Sequence, residues 1–157
     1  MDTLLEKISP LLKTGGARET VLENVLRETL KQFHSETGTI HIFNSEKQLL
    51  HLAAQIGLPP PMLEIVRTIP AGKGIAGQVV VQNKPVTICN LQTDTSGVAK
   101  PGAKQTGVGG ALCVPIRRGG KITGTLGIGT VRQYEYSADE TKSLEKIGRA
   151  LGEFLKN

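Results

Sequence analysis

Four stretches of this chain, 39–44, 49–55, 110–116 and 121–130, alternate bulky aliphatic residues with small or polar ones. A period of two means strands whose successive side chains point to opposite faces of a sheet. One set holds Ile40, Ile42, Leu50, Leu52, Leu112, Val114, Ile116, Ile122, Leu126 and Ile128. The other holds Thr39, His41, His51, Ala53, Ala111, Cys113, Thr125, Gly127 and Gly129. The aliphatic set needs a layer of helices over it. The small set cannot fill its own side, so it leaves either a cavity or room for a helix at close range. A cavity of apolar wall with a few orienting polar groups is what a small-molecule site requires.

The remaining segments supply such layers. Leu4, Leu5, Ile8, Leu11 and Leu12 stand at helical spacing, with Pro10 expected to kink or break the piece. A second helix is expected over 17–33, with Leu22, Val25, Leu26, Thr29, Leu30 and Phe33 as its inner stripe. A last helix begins after Ser137, where Glu140 completes a capping box, and carries Leu144, Ile147, Leu151, Phe154 and Leu155 inward. Between the strands lie a rigid Pro59-Pro60-Pro61 connector, a short helix over 62–65, and an extended piece ending at Pro70. A glycine-marked helix over 75–82, a strand over 85–89 and a long polar loop over 92–109 follow. A loop of that length inside a compact domain is usually functional. The turn 117–120 reads as a hairpin, with 45–48 joining the first two strands.

The chain has 157 residues, 38% hydrophobic and 21% charged, which suits one domain with one core. We expect residues 1–16 to form an N-terminal helical extension and 17–157 the core. A net charge of +5 admits an anionic partner, but the basic residues are scattered and aromatics are only 3%, so nucleic-acid stacking platforms are missing. The N-terminus lacks a secretory pattern, and no stretch reaches the roughly 20 apolar residues of a membrane span. Cys89 and Cys113 make no metal-ligand motif and read as buried free thiols of a reducing compartment. The expected location is therefore the cytoplasm.

Three segments carry a resemblance. Ile69-Pro70-Ala71-Gly72-Lys73-Gly74-Ile75-Ala76-Gly77-Gln78-Val79, continuing to Lys84-Pro85-Val86-Thr87-Ile88, looks like the lid helix and following strand of the GAF family. The pieces 111–116 and 120–126 resemble that family's central hairpin, and 136–140 the cap of its last helix. The order agrees from about Arg18 to Phe154. The resemblance implies an α+β, PAS-like fold: an antiparallel sheet of about six strands, terminal helices on one face, and lid helices and a loop over a pocket on the other. It also implies a homodimer through the terminal helices and a separate signalling partner. Gly129-Thr130 and Tyr136 stand where cyclic-nucleotide binders carry Asn-Lys and Phe, and neither cysteine adjoins a histidine as in bilin binders. Free methionine sulfoxide reductases of the family place cysteines in the lid helix and the long loop. Here Ala76 stands in the lid helix and 92–109 contains no cysteine.

The expectation is thus a non-catalytic sensory module holding a small ligand, with no cofactor. A thiol reductase and a purely structural dimerisation module are the alternatives. The residues expected around the ligand are Thr39, His41, Phe43, Ile75, Ala76, Val79, Leu91, Thr93, Ala111, Cys113 and Thr125. Lys100 and Lys104 in the long loop would suit an anionic ligand. His41 and His51 share strand parity and are expected to neighbour each other across a hairpin, without a third ligand for a metal. Gly72-x-Gly74-x-x-Gly77 follows no long parallel strand, so it is not a dinucleotide fingerprint.

Overall fold

The structure is a computed structural model, and it describes residues 3–88 and 109–155. Helix α1 covers Thr3–Leu12 and runs through Pro10 rather than ending there. Leu4 and Ile8 are buried in the main core, and that packing outweighs the backbone hydrogen bond a proline removes. Helix α2 spans Arg18–Gln32 and buries Val21, Leu22, Val25, Leu26, Thr29 and Leu30 along one stripe. Thr29 satisfies its buried hydroxyl by donating to the Val25 carbonyl at 2.7 Å. Strands β1 (Thr37–Asn44) and β2 (Leu49–Ile56) follow, then α3 (Pro60–Val66), β3 (Thr68–Pro70), α4 (Gly74–Gln82) and β4 (Val86–Ile88). The chain closes with β5 (Ala111–Arg118), β6 (Lys121–Gly129) and α5 (Ala138–Phe154).

The six strands form one antiparallel sheet in the order β3-β2-β1-β6-β5-β4. Gly119 and Gly120 have φ of 59° and 82°, the left-handed pair that a two-residue turn between β5 and β6 requires. Pro115 lies beyond the stretch 111–113 of β5 that pairs with β4, so its missing N–H interrupts no β4 contact. Both edge strands are only three residues long, which limits stray pairing.

One face is sealed by α1, α2 and α5. Ile40, Leu112, Val114, Ile116, Leu126 and Ile128 share a core with Leu22, Val25, Leu26, Leu144, Ile147 and Leu151. Each large aliphatic side chain buried this fully contributes about 1.5–3 kcal/mol. The last helix starts as its sequence requires: Ser137 Oγ accepts from the Glu140 N–H at 3.1 Å, and Glu140 accepts from the Ser137 N–H at 2.8 Å. Its glycines then let it lie close to β5. A Cβ on Gly148 would stand 2.8 Å from the Pro115 carbonyl oxygen, and one on Gly152 would meet that of Arg117.

Parity holds for β1, β5 and β6 from Gly124 onward, but fails at Ile122, which pairs with Arg117 beyond a bulge, and across β2. Leu50 packs on the far face with Ala76, Val79 and Cys113, while Ala54 joins the helix-covered core. Phe43 pairs with Leu50, Ile42 with His51 and His41 with Leu52, after which Ile40 pairs with Ala54. Ala53 is the extra residue of a bulge between those pairs. Leu50 and Leu52 therefore share the side of His41, and His51 lies on the other side, exposed. The expected His41–His51 neighbour pair does not share a face.

Gly148→Val should lower stability by about 1–3 kcal/mol, because the added side chain overfills the contact between α5 and β5. Urea denaturation should show a lower midpoint at unchanged slope. Valine at the neighbouring exposed Arg149 should cost no more than about 0.7 kcal/mol of helix propensity. Equal losses at both positions would refute the close-packing account.

Candidate functional site

Directly paired residues of an antiparallel sheet share a face, so the register lays out the second face row by row. One row crosses the sheet as Val86, Cys113, Gly127, Thr39 and Gln55. The next runs Pro115, Thr125, His41 and Leu52. On the other side of the first row stand Ile88, Ala111, Gly129 and Thr37. This floor is made largely of small or polar groups, as the sequence alternation requires.

Helix α4 lies over it. Ala76 and Val79 are buried against Cys113 and Leu50, with Phe43, Ile69, Ile75, Val80 and Val86 around them. The glycines before and within α4 bring it there. A Cβ on Gly77 would stand 2.8 Å from the Pro70 carbonyl oxygen, and the Gly72 N–H donates to the Gly77 carbonyl at 3.0 Å. The chain thus folds from β3 straight into the helix, and the glycine spacing serves a tight turn. At the far end Asn83 adopts the left-handed conformation, φ 54°. Arg117 of β5 donates to both its side-chain oxygen (3.0 Å) and its carbonyl (2.6 Å). The same guanidinium stands 3.9 Å from Glu145 of α5, so one side chain links the covering helix to a terminal helix.

Two polar atoms under this cover have no partner. His41 is 1% exposed, and its Nε2 lies 2.8 Å from the Val66 carbonyl oxygen. A carbonyl only accepts, so Nε2 carries the hydrogen and Nδ1 of the neutral ring is an acceptor. Nδ1 is buried without a hydrogen bond, and so is Oγ1 of Thr125, the residue paired with His41 across β1 and β6. Each such atom costs about 1–3 kcal/mol. Burial holds the His41 pKa below its usual value; the Val66 hydrogen bond opposes this, and the charge of His51 adds to it. Burial pushes the Cys113 thiol up to about 12. Thr125 lies close enough to offset a little of that rise, yet its Oγ1 completes no hydrogen bond of regular geometry.

The structure brings together Thr39, His41, Ala111, Cys113 and Thr125 on the floor, Ile75, Ala76 and Val79 on α4, and Phe43 beside Leu50. Leu91, Thr93, Cys89, Lys100 and Lys104 lie outside the described residues. Leu50 and Leu52 belong to this face although their even numbers assigned them elsewhere. The hairpin itself carried the signal. A four-residue turn at 45–48 pairs 44 with 49 and 43 with 50, which forces an even residue on β2 to face an odd one on β1. Among the described residues no group of three or more His, Cys, Asp and Glu could hold a metal ion.

A sequence model described as GAF domain matches residues 17–156. The chain belongs to the GAF domain family. That places it among sensory and ligand-binding modules in general. Solved structures agree on the fold of this GAF domain. The GAF domain of a phosphoenolpyruvate-protein phosphotransferase from Coxiella burnetii superposes with a TM-score of 0.83 at 17% identity, covering 98% of this chain and 90% of that one. The A. aeolicus nlh2 GAF domain in an inactive state gives 0.75 at 24%, covering 98% and 93%. Free methionine-R-sulfoxide reductase from Neisseria meningitidis, in complex with its substrate, gives 0.78 at 15%, covering 98% and 86%. No functionally curated protein matches. Among the described residues of this GAF domain, no helix is long and apolar enough to cross a membrane.

The buried imidazole makes acid stability a test of this site. An unfolded histidine titrates near pH 6.5, and the native ring titrates lower. Below about pH 6.5 the unfolded chain therefore binds more protons, and stability falls as pH drops toward the native pKa. Thermal melts between pH 7 and 5 should show a smaller decline for His41→Gln than for the parent. Parallel declines would mean the native ring is not held neutral.

Proposed function

We propose that this GAF domain is a non-catalytic sensory module that holds a small molecule between its sheet and α4. The observation that carries the reading is the pair of buried, unpartnered polar atoms, His41 Nδ1 and Thr125 Oγ1, within a mainly apolar and small-residue floor. Buried polar atoms without partners are rare in native proteins, and a bound ligand is one way of satisfying them. The ligand would be enclosed by Thr39, Phe43, Ala111 and Cys113 from the sheet and by Ile75, Ala76 and Val79 from α4.

Output in this reading passes through the Arg117 contacts to α5, and from the terminal helices of a homodimer to a separate signalling protein. A shift of α4 moves Asn83, and Asn83 is tied through Arg117 to β5 and to Glu145. The transmission is a coupling free energy that each ligated state must alter. The cytoplasm is the proposed location, where the Cys113 thiol stays reduced.

Similarity to methionine sulfoxide reductases raises the rival of a thiol enzyme. A nucleophilic cysteine needs a thiolate, and a thiol titrating at about 12 in a fully buried site supplies almost none at neutral pH. Ala76 in α4 favours the non-catalytic reading as well.

A thermal-shift screen of nucleotides, amino acids, carboxylates and inorganic anions tests the reading. A ligand at one hundred times its Kd should stabilise by about 2.7 kcal/mol, in a dose-dependent way. Methionine sulfoxide turnover that disappears in Cys113→Ser would overturn the proposal in favour of the reductase. Arg117→Ala should leave the ligand-induced shift intact but abolish any ligand-dependent change in dimerisation seen by sedimentation. Unchanged dimer coupling in that variant would remove Arg117 from the output route.

A further inference from the structure

The two unpartnered atoms also say what kind of group they await. His41 Nε2 is committed to the Val66 carbonyl, so Nδ1 presents a lone pair. Thr125 stands opposite on β6, and its hydroxyl both donates and accepts. A guest that satisfies both must donate one hydrogen bond and can accept another. The surroundings set its charge. On this face, β1 from Thr37 to Phe43, β5 from Ala111 to Pro115 and β6 from Thr125 to Gly129 turn no Lys, Arg, Asp or Glu toward α4. A carboxylate placed here would bring its lone pairs against that of Nδ1, and the cation farther along β5, Arg117, is already engaged with Asn83 and Glu145.

We infer that the His41–Thr125 pair selects a neutral ligand group bearing an N–H or O–H donor, of the amide or alcohol class, and rejects carboxylates and other anions. This rests on the reading of the face as a binding site. A primary amide fits both atoms: its N–H donates to His41 Nδ1 while its carbonyl accepts from Thr125. A single hydroxyl fits as well, donating to one and accepting from the other. An N,N-dialkyl amide of similar shape keeps the acceptor but has nothing to offer Nδ1.

Imidazole nitrogen spectra of the full-length 15N-labelled protein test this directly. His41→Gln assigns the His41 signals, and His34 and His51 serve as internal references. The free protein should show His41 protonated at Nε2 and bare at Nδ1. Propionamide and 1-propanol should move the Nδ1 resonance saturably, while N,N-dimethylpropionamide and propionate should not. Thr125→Val should weaken propionamide about tenfold, the loss of one hydrogen bond, and Thr125→Ser should bind as the parent does. The Ser variant keeps the test valid if the Val variant fails to fold.

A hydrogen on Nδ1, preferential binding of propionate, or equal binding of the dialkyl amide would overturn the inference while leaving the sensor reading intact. So would a compound from the wider screen that binds without disturbing Nδ1. Failure of every probe here and every compound in that screen, with an ordered water bridging the two atoms, would overturn both.

Discussion

Strand β6 pairs with β1 on one side and β5 on the other, and nearly everything else in this GAF domain is positioned by those two ladders. Because the pairing is in register, the alternation within each strand adds up across the sheet. Leu126 stands beside Ile40 and Val114, and Ile128 beside Leu112, so a continuous aliphatic layer forms where three helices can seal it. The same register lines Thr125 up with His41, and Gly127 with Thr39 and Cys113. A slip of one residue would exchange the two layers and destroy both the core and the floor. The core and the site are thus two sides of one pairing pattern.

The two faces are packed to different standards. On the helix side, glycines at 148 and 152 bring α5 down to the backbone of β5, and large aliphatic groups fill the space. On the other side the nine-residue α4 lies over the floor, with the end of α3 reaching His41, and the layer tolerates two unsatisfied buried polar atoms. Such atoms reduce stability, and the large core opposite can offset that loss. Placing the cost under α4, the helix whose end Arg117 grips, keeps it where a change of occupancy could be felt by the terminal helices.

The sequence was most readable where local physics decides. The Ser137–Glu140 cap, the stripe of α2 and the Gly119-Gly120 turn each depend on contacts within a few residues. Parity by residue number does not carry over to β2, because faces there are set through the hairpin. The four-residue turn reverses the relation between β1 and β2, and the Ala53 bulge reverses it again. The first reversal could have been worked out from the turn length. The bulge could not, since Ala53 and Ala54 offer no difference in size or polarity to show which is the extra residue. Pro10 is a similar case, because the fate of α1 depends on what Leu4 and Ile8 pack against.

Alternation by itself determined that this chain builds a two-faced sheet, that helices cover one face, and that the other is floored by small residues including Thr39, His41, Cys113 and Thr125. Side-chain period and volume are properties of the sequence, and they need no partner to be read. Only the tertiary structure decided that His41 Nε2 reaches Val66, twenty-five residues away, leaving Nδ1 bare, and that Arg117 joins the end of α4 to α5. Hydrogen-bond satisfaction depends on distance and direction between groups far apart in the chain, and those quantities exist only once the backbone has closed around them.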